Sequence, residues 1–336
     1  WPSLKFDAMA INQLASPIFV GGFYYKTFMW PAAFWEKLYE PAIRRAAGLG
    51  SAAGVPDPDS YDRMHAFCDV LVIGGGPTGL AAAQAAARAG ARVILCDDDF
   101  ELGGRLLSER QAIGDAPAAE WAAGLAAELD AAPEVRVLTR TQVFGCYDGG
   151  VFGAVQRVSD HLPVPGAHQP RQRYWKIVAK RAVLCAGAVE RQLVFGGNDT
   201  PGVMLASGVR TYLNRFGVAP GQRAAVFTTT DDGWRTAADL VAAGVKLEAV
   251  IDPRAEAPGA LRAAAEQSGA RVFMGGVVAD AGGGLGLKRI AVLDAAGEHK
   301  PFPVDLLAVS GGWNPQVAMT THHGSRPVWS DTLHPF

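Results

Sequence analysis

The stretch Asp69-Val-Leu-Val-Ile-Gly-Gly-Gly-Pro-Thr-Gly79, followed by an alanine-rich run and then Arg92-Val-Ile-Leu-Cys-Asp97, decides the fold. Its first five residues are mostly apolar, which predicts a short strand buried on both faces. Three glycines follow at once with G-x-G-x-x-G spacing, and residues 77–89 are typical of a helix. Gly90 ends this helix, and residues 92–96 predict the next strand. The order strand, tight turn, helix, strand predicts an α/β fold with a parallel sheet.

The glycine turn and the acid after it predict a dinucleotide-binding site. Gly76 has no Cβ, so a pyrophosphate can approach the backbone, and Gly79 lets the helix lie close to the strand. The helix presents free N–H groups and the positive end of its dipole to the phosphates. Asp97 follows Gly74 by roughly the 20 residues at which an acid hydrogen-bonds the adenosine ribose. An acid there disfavours a 2′-phosphate and hence NADP, but the spacing leaves NAD and FAD open.

Three further segments could contact the same cofactor. Leu102-Gly-Gly-Arg105 is a second glycine turn, from which Arg105 could pair with a phosphate or stack on a ring. Arg105 could instead be a surface arginine that follows a turn, but the position of this turn directly after the ribose acid favours the cofactor contact. Residues 141–144 could hold an adenine through main-chain atoms. The small-residue turn at Ala186 and Gly187 would let the chain pass close to the bound cofactor.

The pattern predicts a chain of four segments. Residues 1–66 are an aromatic-rich segment that ends in a Gly/Pro-containing linker at 51–60. Residues 67–216 form the first dinucleotide-binding domain, a Rossmann-like doubly wound parallel sheet with an antiparallel meander. Residues 217–300 form a second domain of the same kind, and residues 301–336 return to the first domain.

The second domain is predicted to keep the fold without a nucleotide site. Its first turn reads Thr228-Thr-Thr-Asp-Asp-Gly-Trp234, so the first two glycines of the motif are missing. Asp231 and Asp232 place two negative charges where a pyrophosphate would lie, and like charges oppose phosphate binding. One chain that held two dinucleotides could pass a hydride between them, and we expect that this chain does not.

Composition excludes several classes of function. The chain has 336 residues, of which 49% are hydrophobic and 19% charged, and its net charge is −2. The charge balance gives no indication of nucleic acid or of an anionic membrane as a partner, and no apolar run reaches the ~18 residues of a membrane span. The four cysteines form no C-x-x-C pair, which excludes a local redox disulfide and fits a reducing cytoplasm. The adjacent pair His322-His323 is poorly placed to chelate one ion, so no metal site is predicted.

The N-terminal segment contains the densely aromatic string Phe23-Tyr-Tyr-Lys-Thr-Phe-Met-Trp30. This string could be a docking surface for another subunit, or it could pack on its own domain, since aromatic side chains serve both uses. Pro31 suits the first position of a helix, and apolar residues near helical spacing predict a helix over 31–47.

These residues together resemble one known family. The chain is similar to the α subunit of heterotetrameric sarcosine oxidase over essentially its whole length. The aromatic string at 23–31 is far more specific than the glycine motif, which many flavoproteins share. The stretches that carry the resemblance are 1–7, 23–31, 39–44, 68–79, 194–203, 212–215 and 310–315.

The resemblance implies a function that the spacing of residues does not provide. It implies that this part of α looks like a flavin disulfide reductase in fold but carries NAD⁺, whereas the β subunit carries FAD and a covalent FMN. Sarcosine would be oxidised to glycine at the FAD of β, electrons would pass to FMN, and O₂ would be reduced to H₂O₂. A folate domain elsewhere in α would accept the one-carbon unit. The chain would thus belong to an oxidoreductase of CH–NH donors, with β, γ and δ subunits as partners.

The resemblance also extends the candidate site. It implies that Thr78, Arg105 and the three consecutive aspartates line the NAD⁺ site. No residue of the chain is a candidate general acid, base or nucleophile. The full set of candidate cofactor-binding residues is Gly74, Gly76, Pro77, Thr78, Gly79, Asp97, Asp98, Asp99, Gly104, Arg105, Val143, Ala186 and Gly187.

The chain also departs from the family pattern. The α subunits of this family are much longer, so we expect the chain to be part of a larger subunit and to have no oxidase activity by itself. A stand-alone FAD-dependent oxidoreductase of the amine or opine type is the alternative, because the turn at 102–105 also suits a flavin domain. A scaffold without chemistry of its own, which docks partners through its aromatic segment, is a third interpretation.

Overall fold

The computed structural model describes residues 6–15, 17–18, 22, 28, 30–52, 54–257 and 259–332. The chain divides into two compact units, Trp1–Pro58 and Asp59–Phe336. The boundary between them lies within the linker predicted at 51–60.

The first unit contains short helical segments. The helix predicted over 31–47 is present as three consecutive segments, and none of their side chains is buried. The ring of Tyr39 lies 5.3 Å from that of Phe28 and 6.3 Å from that of Phe34. Residues 23–27 and 29 of the aromatic string lie outside the described residues, so both interpretations of it stay predictions. The segments are 3₁₀ turns at Ala8–Ala15 and Ala32–Phe34, a π-helical turn at Trp35–Tyr39 and helix α1 at Glu40–Ala46.

The second unit holds the strands and the remaining helices. The strands are β1 (Tyr61–Ile73), β2 (Val93–Cys96), β3 (Ala112–Ile113), β4 (Ala116–Pro117), β5 (Val135–Leu138), β6 (Thr141–Tyr147), β7 (Val151–Arg157), β8 (Gln172–Leu184), β9 (Ala188–Glu190), β10 (Val203–Leu205), β11 (Arg223–Thr228), β12 (Lys246–Asp252), β13 (Arg271–Met274), β14 (Val277–Gly283), β15 (Leu287–Leu293), β16 (His299–Phe302), β17 (Leu306–Ser310) and β18 (Trp313–Pro315). The helices are α2 (Pro77–Arg88), α3 (Ala118–Ala131), α4 (Ala206–Arg210), α5 (Asp231–Ala242), α6 (Gly259–Gln267) and α7 (Ala318–Thr321), with 3₁₀ or π turns at Gly104–Ser108, Asp148–Gly150 and Thr211–Arg215.

The first sheet has the strand order β5-β2-β1-β8-β7-β6. Its first four strands are parallel, and β7 and β6 continue from β8 as an antiparallel meander. The predicted doubly wound parallel sheet with an antiparallel meander is therefore confirmed. β1 begins at Tyr61, before the predicted boundary at residue 67, because it pairs with β8 from Tyr61 to Ile73.

The second sheet is parallel throughout, with the order β10-β17-β11-β12-β13. The prediction that residues 301–336 return to the first domain is wrong for β17. All five of its residues are buried, and a strand of that kind is stable between two neighbours, which β10 and β11 provide here. β10 also places the start of this sheet before the predicted boundary at residue 217. After β17 the chain turns back, and β18 pairs with β9 next to the first sheet.

Packing explains how each sheet is covered. Helices α2 and α3 cover one face of the first sheet, where Leu80 contacts the buried side chains around Val72 and Leu95. Buried side chains of the meander strands cover the other face of the parallel strands, and Trp175 packs in the same cluster as Leu71. The second sheet is covered by α4 and α5 on one face and by the antiparallel strands β14–β16 on the other. No helix in the described ranges combines the length and the apolar character needed to cross a bilayer.

Candidate functional site: a cleft at the carboxyl ends of the first sheet

A cleft of about 700 Å³ lies where β1, β2 and β8 end. In open α/β sheets this edge is where ligands bind. Twelve of the thirteen residues predicted from the sequence line it, and Gly79 is the exception. The sequence did not single out Gln316, Ala318 and Met319, which also line the cleft. They reach it because β18 pairs with β9, and the N–H of Gln316 then donates to the carbonyl of Gly187 at 2.9 Å.

The glycine turn has the backbone geometry that the motif requires. Gly74 has φ +104°, and a Cβ on it would overlap the carbonyl oxygen of Cys185, which directly follows β8. A Cβ on Gly79 would overlap the carbonyl oxygen of Gly74, so this residue sets the close approach of α2 to β1 although it does not line the cleft. Gly104, with φ +54°, lies against Gly76, and a Cβ on it would be 2.9 Å from the Cα of Gly76. The two glycine turns therefore pack against each other at the cleft.

Asp97 holds the glycine turn in place. One carboxylate oxygen accepts a hydrogen bond of 2.5 Å from the N–H of Gly75, and the other accepts one of 2.8 Å from the N–H of Asp99. Burial raises the pKa of Asp97 above its ordinary value, although these two hydrogen bonds act in the opposite direction. Each carboxylate oxygen has a second acceptor site. Asp97 can therefore keep both backbone bonds and still accept a ribose hydroxyl.

The other two aspartates have different surroundings. Asp99 is paired through both oxygens with the guanidinium of Arg215, at 2.6 and 3.1 Å. Burial alone would raise the pKa of Asp99, but the ion pair with Arg215 holds it below its ordinary value. Asp98 is exposed, and its carboxylate lines the cleft. Asp97 thus braces the turn, Asp98 faces solvent and Asp99 binds an arginine.

Arg105 lines the cleft, but its guanidinium is held by protein groups, one of which belongs to the second domain. Its guanidinium is 2.6 Å from the carboxylate of Asp232 and 2.7 Å from that of Glu109, and it lies 4.0 Å from the ring centroid of Trp313. The guanidinium of Arg105, which could have paired with a phosphate or stacked on a cofactor ring, is therefore neutralised by two carboxylates and stacked on the indole of Trp313.

The first turn of the second domain is filled by protein groups. Asp232 lies in the first turn of α5 and accepts hydrogen bonds from Arg105, from Arg235 and from the indole N–H of Trp313. Burial alone would raise the pKa of Asp232, but these cations and hydrogen bonds hold it below its ordinary value. What remains of the site is a polar depression of about 540 Å³ lined by acids and arginines together.

The position of the ribose acid in the second domain is also occupied. Asp252 ends β12, as Asp97 follows β2, and it is completely buried. It accepts a 2.8 Å hydrogen bond from the indole N–H of Trp234 and pairs with Arg254 at 2.7 Å. Gly233, the third glycine of the degenerate motif, still allows α5 to lie against Thr228. The second domain therefore keeps the packing glycine but uses its acids for internal ion pairs.

The histidine pair near the end of the chain lies beside the meander. The backbone N–H of Cys146 donates to Nδ1 of His322 at 3.2 Å, and Nε2 of His323 is 2.9 Å from the Cys146 thiol. Burial raises the pKa of this thiol. Among the described residues, no group of three or more His, Cys, Asp or Glu side chains is arranged to hold a metal ion.

Comparison with known proteins identifies the class. Residues 69–150 match the family described as FAD dependent oxidoreductase. The solved structure of L-proline dehydrogenase from P. horikoshii has a TM-score of 0.60 and 20% identity, over 84% of this chain and 51% of that chain. T. acidophilum thioredoxin reductase also has a TM-score of 0.60, with 17% identity, over 79% of this chain and 83% of that chain. The protein thus has the two-domain fold of FAD- and NAD-binding, disulfide-reductase-like oxidoreductases.

Sequence similarity to one curated protein extends over nearly the whole chain. Sarcosine oxidase subunit alpha from Rhizobium meliloti (strain 1021) is 52% identical over 330 residues, which cover 98% of this chain and 33% of that protein. The chain is a homologue of the sarcosine oxidase α subunit, and it spans about a third of that relative's length. The relative is named as one subunit, which implies that it belongs to an enzyme of several subunits.

Proposed function

We propose that this chain is the NAD-binding part of a sarcosine oxidase α subunit. The observation that carries the proposal is the 52% identity to that subunit over nearly the whole chain. The geometry supports it, because the chain has an open dinucleotide cleft on the first sheet and a second domain whose corresponding positions are filled by ion pairs. A single bound nucleotide would then have no second dinucleotide on this chain with which to exchange a hydride.

The residues of the cleft suit a dinucleotide. The N-terminus of α2 would receive the pyrophosphate, since the free N–H groups of its first turn, which begin at Thr78 because Pro77 has none, favour anions. Asp97 would accept a hydroxyl of the adenosine ribose, as described above. Val143 and Gly187 would lie along the rest of the cofactor. The carboxylates at 97–99 disfavour the additional phosphate of NADP.

The reaction itself belongs to the whole enzyme in this proposal. When bound on the β subunit, FAD would oxidise sarcosine to glycine and FMN would take the electrons to O₂, with H₂O₂ as product. The one-carbon unit would pass to tetrahydrofolate, and γ and δ subunits would complete a cytoplasmic complex. This chain would bind and shield its NAD, and it would have no oxidase activity alone, because the oxidation takes place on the β subunit in this proposal.

A stand-alone FAD-dependent oxidoreductase of the amine or opine type is the second candidate. The match of residues 69–150 to the FAD dependent oxidoreductase family favours it. An absorbance spectrum of the purified protein, followed by heat release and mass identification of the nucleotide, separates the two candidates. A colourless protein that releases NAD supports the α-subunit proposal. Flavin absorption with release of FAD contradicts it and favours the second candidate.

A further inference from the structure

The outer face of the meander is an aromatic and cationic surface. It is formed by side chains of β1, β8 and β6 that point away from the buried layer around Trp175. The members of this surface, called the meander face below, are Arg63, His65, Phe67, Phe144, Tyr147, Tyr174 and Lys176.

Strand register explains why these residues share one face. Trp175 and Ile177 of β8 and Ala66 and Cys68 of β1 are buried on the inner face, so the residues that alternate with them point outward. Ladder pairing then aligns three neighbouring pairs across β1 and β8 on the outer side. These pairs are Arg63 with Tyr174, His65 with Lys176, and Phe67 with Val178.

Two glycines allow the aromatic rings to lie flat on the sheet. The ring of Phe144 lies over Gly153, where a Cβ would come within 2.7 Å of it, and the ring of Tyr147 lies over Gly145. Phe144 and Tyr174 are 6.1 Å apart, centroid to centroid. The four rings nevertheless remain open to solvent, since 66% of Phe67, 48% of Tyr147, 41% of Phe144 and 40% of Tyr174 is exposed. Exposed large apolar groups that are contiguous in this way mark a binding surface.

The charges of the meander face have one sign. Arg63 and Lys176 are exposed, and neither side chain forms an ion pair with any residue that the structure describes. Asp69, the next outward position of β1 after Phe67, is neutralised by Lys180 at 2.7 Å and by Arg92 at 3.0 Å, so the unpaired charges of the face are positive. A symmetric pairing of this face with a second copy would place cations against cations, which is unfavourable. Charge complementarity therefore requires an occupant with acidic groups around apolar ones.

We propose that the meander face docks another subunit of the enzyme through an acidic surface that carries apolar side chains. This inference rests on the proposed function, because it takes its partner from the multi-subunit complex. It assigns contacts to that assembly: Phe67, Phe144 and Tyr174 supply buried apolar area, and Arg63 and Lys176 pair with carboxylates at the rim.

The test uses the full-length protein with the remaining sarcosine oxidase subunits. A variant with Arg63→Glu, Phe67→Ser and Lys176→Glu is expected to raise the dissociation constant by at least about tenfold, because it removes an aromatic anchor and reverses two charges. The matched control combines Leu285→Ser with Lys288→Glu and Arg289→Glu, which change an exposed apolar residue and two exposed cations on the β14–β15 hairpin. The control is expected to stay within about threefold of the wild type. Retained nucleotide shows that each variant is folded.

Hydrogen exchange of the wild-type complex gives a second measurement. β1 and β8 at the meander face should become protected on assembly, and added salt should weaken binding of the wild type more than that of the triple variant. Wild-type affinity in the triple variant, or no protection of these strands, overturns the docking proposal alone. A wild-type protein that does not bind the other subunits overturns the proposed function as well. Binding of a single-stranded oligouridylate by these side chains, measured by fluorescence anisotropy, would instead assign the face to RNA and overturn the protein partner.

Discussion

Arg105 and Asp232 are 127 positions apart in the chain, yet their side chains meet at 2.6 Å. Arg105 follows the second glycine turn of the cleft, and Asp232 lies in the first turn of α5, the position that corresponds to the N-terminus of α2 at the cleft. One ion pair therefore joins the cleft to the degenerate site and fills the latter with a protein cation and a protein anion. Trp313 completes the contact, since its ring stacks on Arg105 and its indole N–H donates to Asp232 at 2.8 Å.

Asp232→Asn should loosen the contact between the two sheets. The substitution leaves the largely buried Arg210, whose guanidinium lies 3.9 Å from the Asp232 carboxylate, with less compensating charge and removes the partner of Arg105. Arg105 is 44% exposed, so water screens part of the pair, and we expect a loss of about 1–2 kcal/mol in the free energy of unfolding. Urea unfolding measures the loss, and hydrogen exchange at Gly104–Ser108 should rise with it.

Asp231→Asn is the matched control for that prediction. Asp231 is the neighbouring acid, but it is exposed and pairs only at the surface with Arg254. We expect a change within about 0.5 kcal/mol. Equal effects of the two substitutions would show that the contact between Arg105 and Asp232 has no special role.

Asp97 and Asp98 should differ in their effect on nucleotide binding. Asp97→Asn removes the charged acceptor for a ribose hydroxyl, and a hydrogen bond to a charged group contributes about 1.5–3 kcal/mol, so we expect affinity to fall by roughly 10- to 100-fold. Asp98→Asn is the control, because this exposed carboxylate makes no contact that holds the turn. Titration of nucleotide-free protein with NAD measures both. A larger loss with Asp98→Asn would assign the ribose to Asp98.

Much of this site was predictable, because its decisive features are local. The motif at 74–79 and the acid at 97 lie within one strand-turn-helix-strand unit, where sequence spacing fixes spatial spacing. The environment of Arg105 was not predictable, since its partner Asp232 belongs to the other sheet. β17 was assigned to the wrong sheet for a similar reason, because a short run of apolar residues does not indicate which strands lie on either side of it. Gln316 and Met319 gave no signal, because only the pairing of β18 with β9 brings them to the cleft.

Gly79→Ala should destabilise the first domain. In most helices alanine is the better residue, but a Cβ at this position overlaps the carbonyl oxygen of Gly74 and forces α2 away from β1. We expect a loss of about 1–3 kcal/mol, as for other overpacked positions, together with loss of the bound nucleotide. Thermal and urea unfolding measure it.

Gly124→Ala provides the comparison within the same domain. Gly124 is exposed in α3, and a Cβ on it meets nothing within 4 Å. Relief of the glycine penalty should stabilise the protein by about 0.5–1 kcal/mol. If both alanine variants were stabilised, the close approach of α2 to the glycine turn would not be a constraint on the fold.

As the pH falls, the nucleotide should be released at a higher pH than the one at which an ordinary aspartate protonates. Burial raises the pKa of Asp97, so its carboxylate takes up a proton above the ordinary value of about 4 as the pH falls. The protonated group no longer offers a charged acceptor to the ribose, and affinity should therefore decline through that range and be constant at higher pH. Asp99 behaves oppositely, because its pairing with Arg215 lowers its pKa. The pairing contributes to folding stability at pH values above the ordinary aspartate pKa, and this contribution is lost only as the pH falls below that value. Nucleotide loss should thus precede acid unfolding. Affinity measured against pH should become flatter in Asp97→Asn and keep its slope in Asp98→Asn, and an unchanged profile in Asp97→Asn would remove this carboxylate from the binding site.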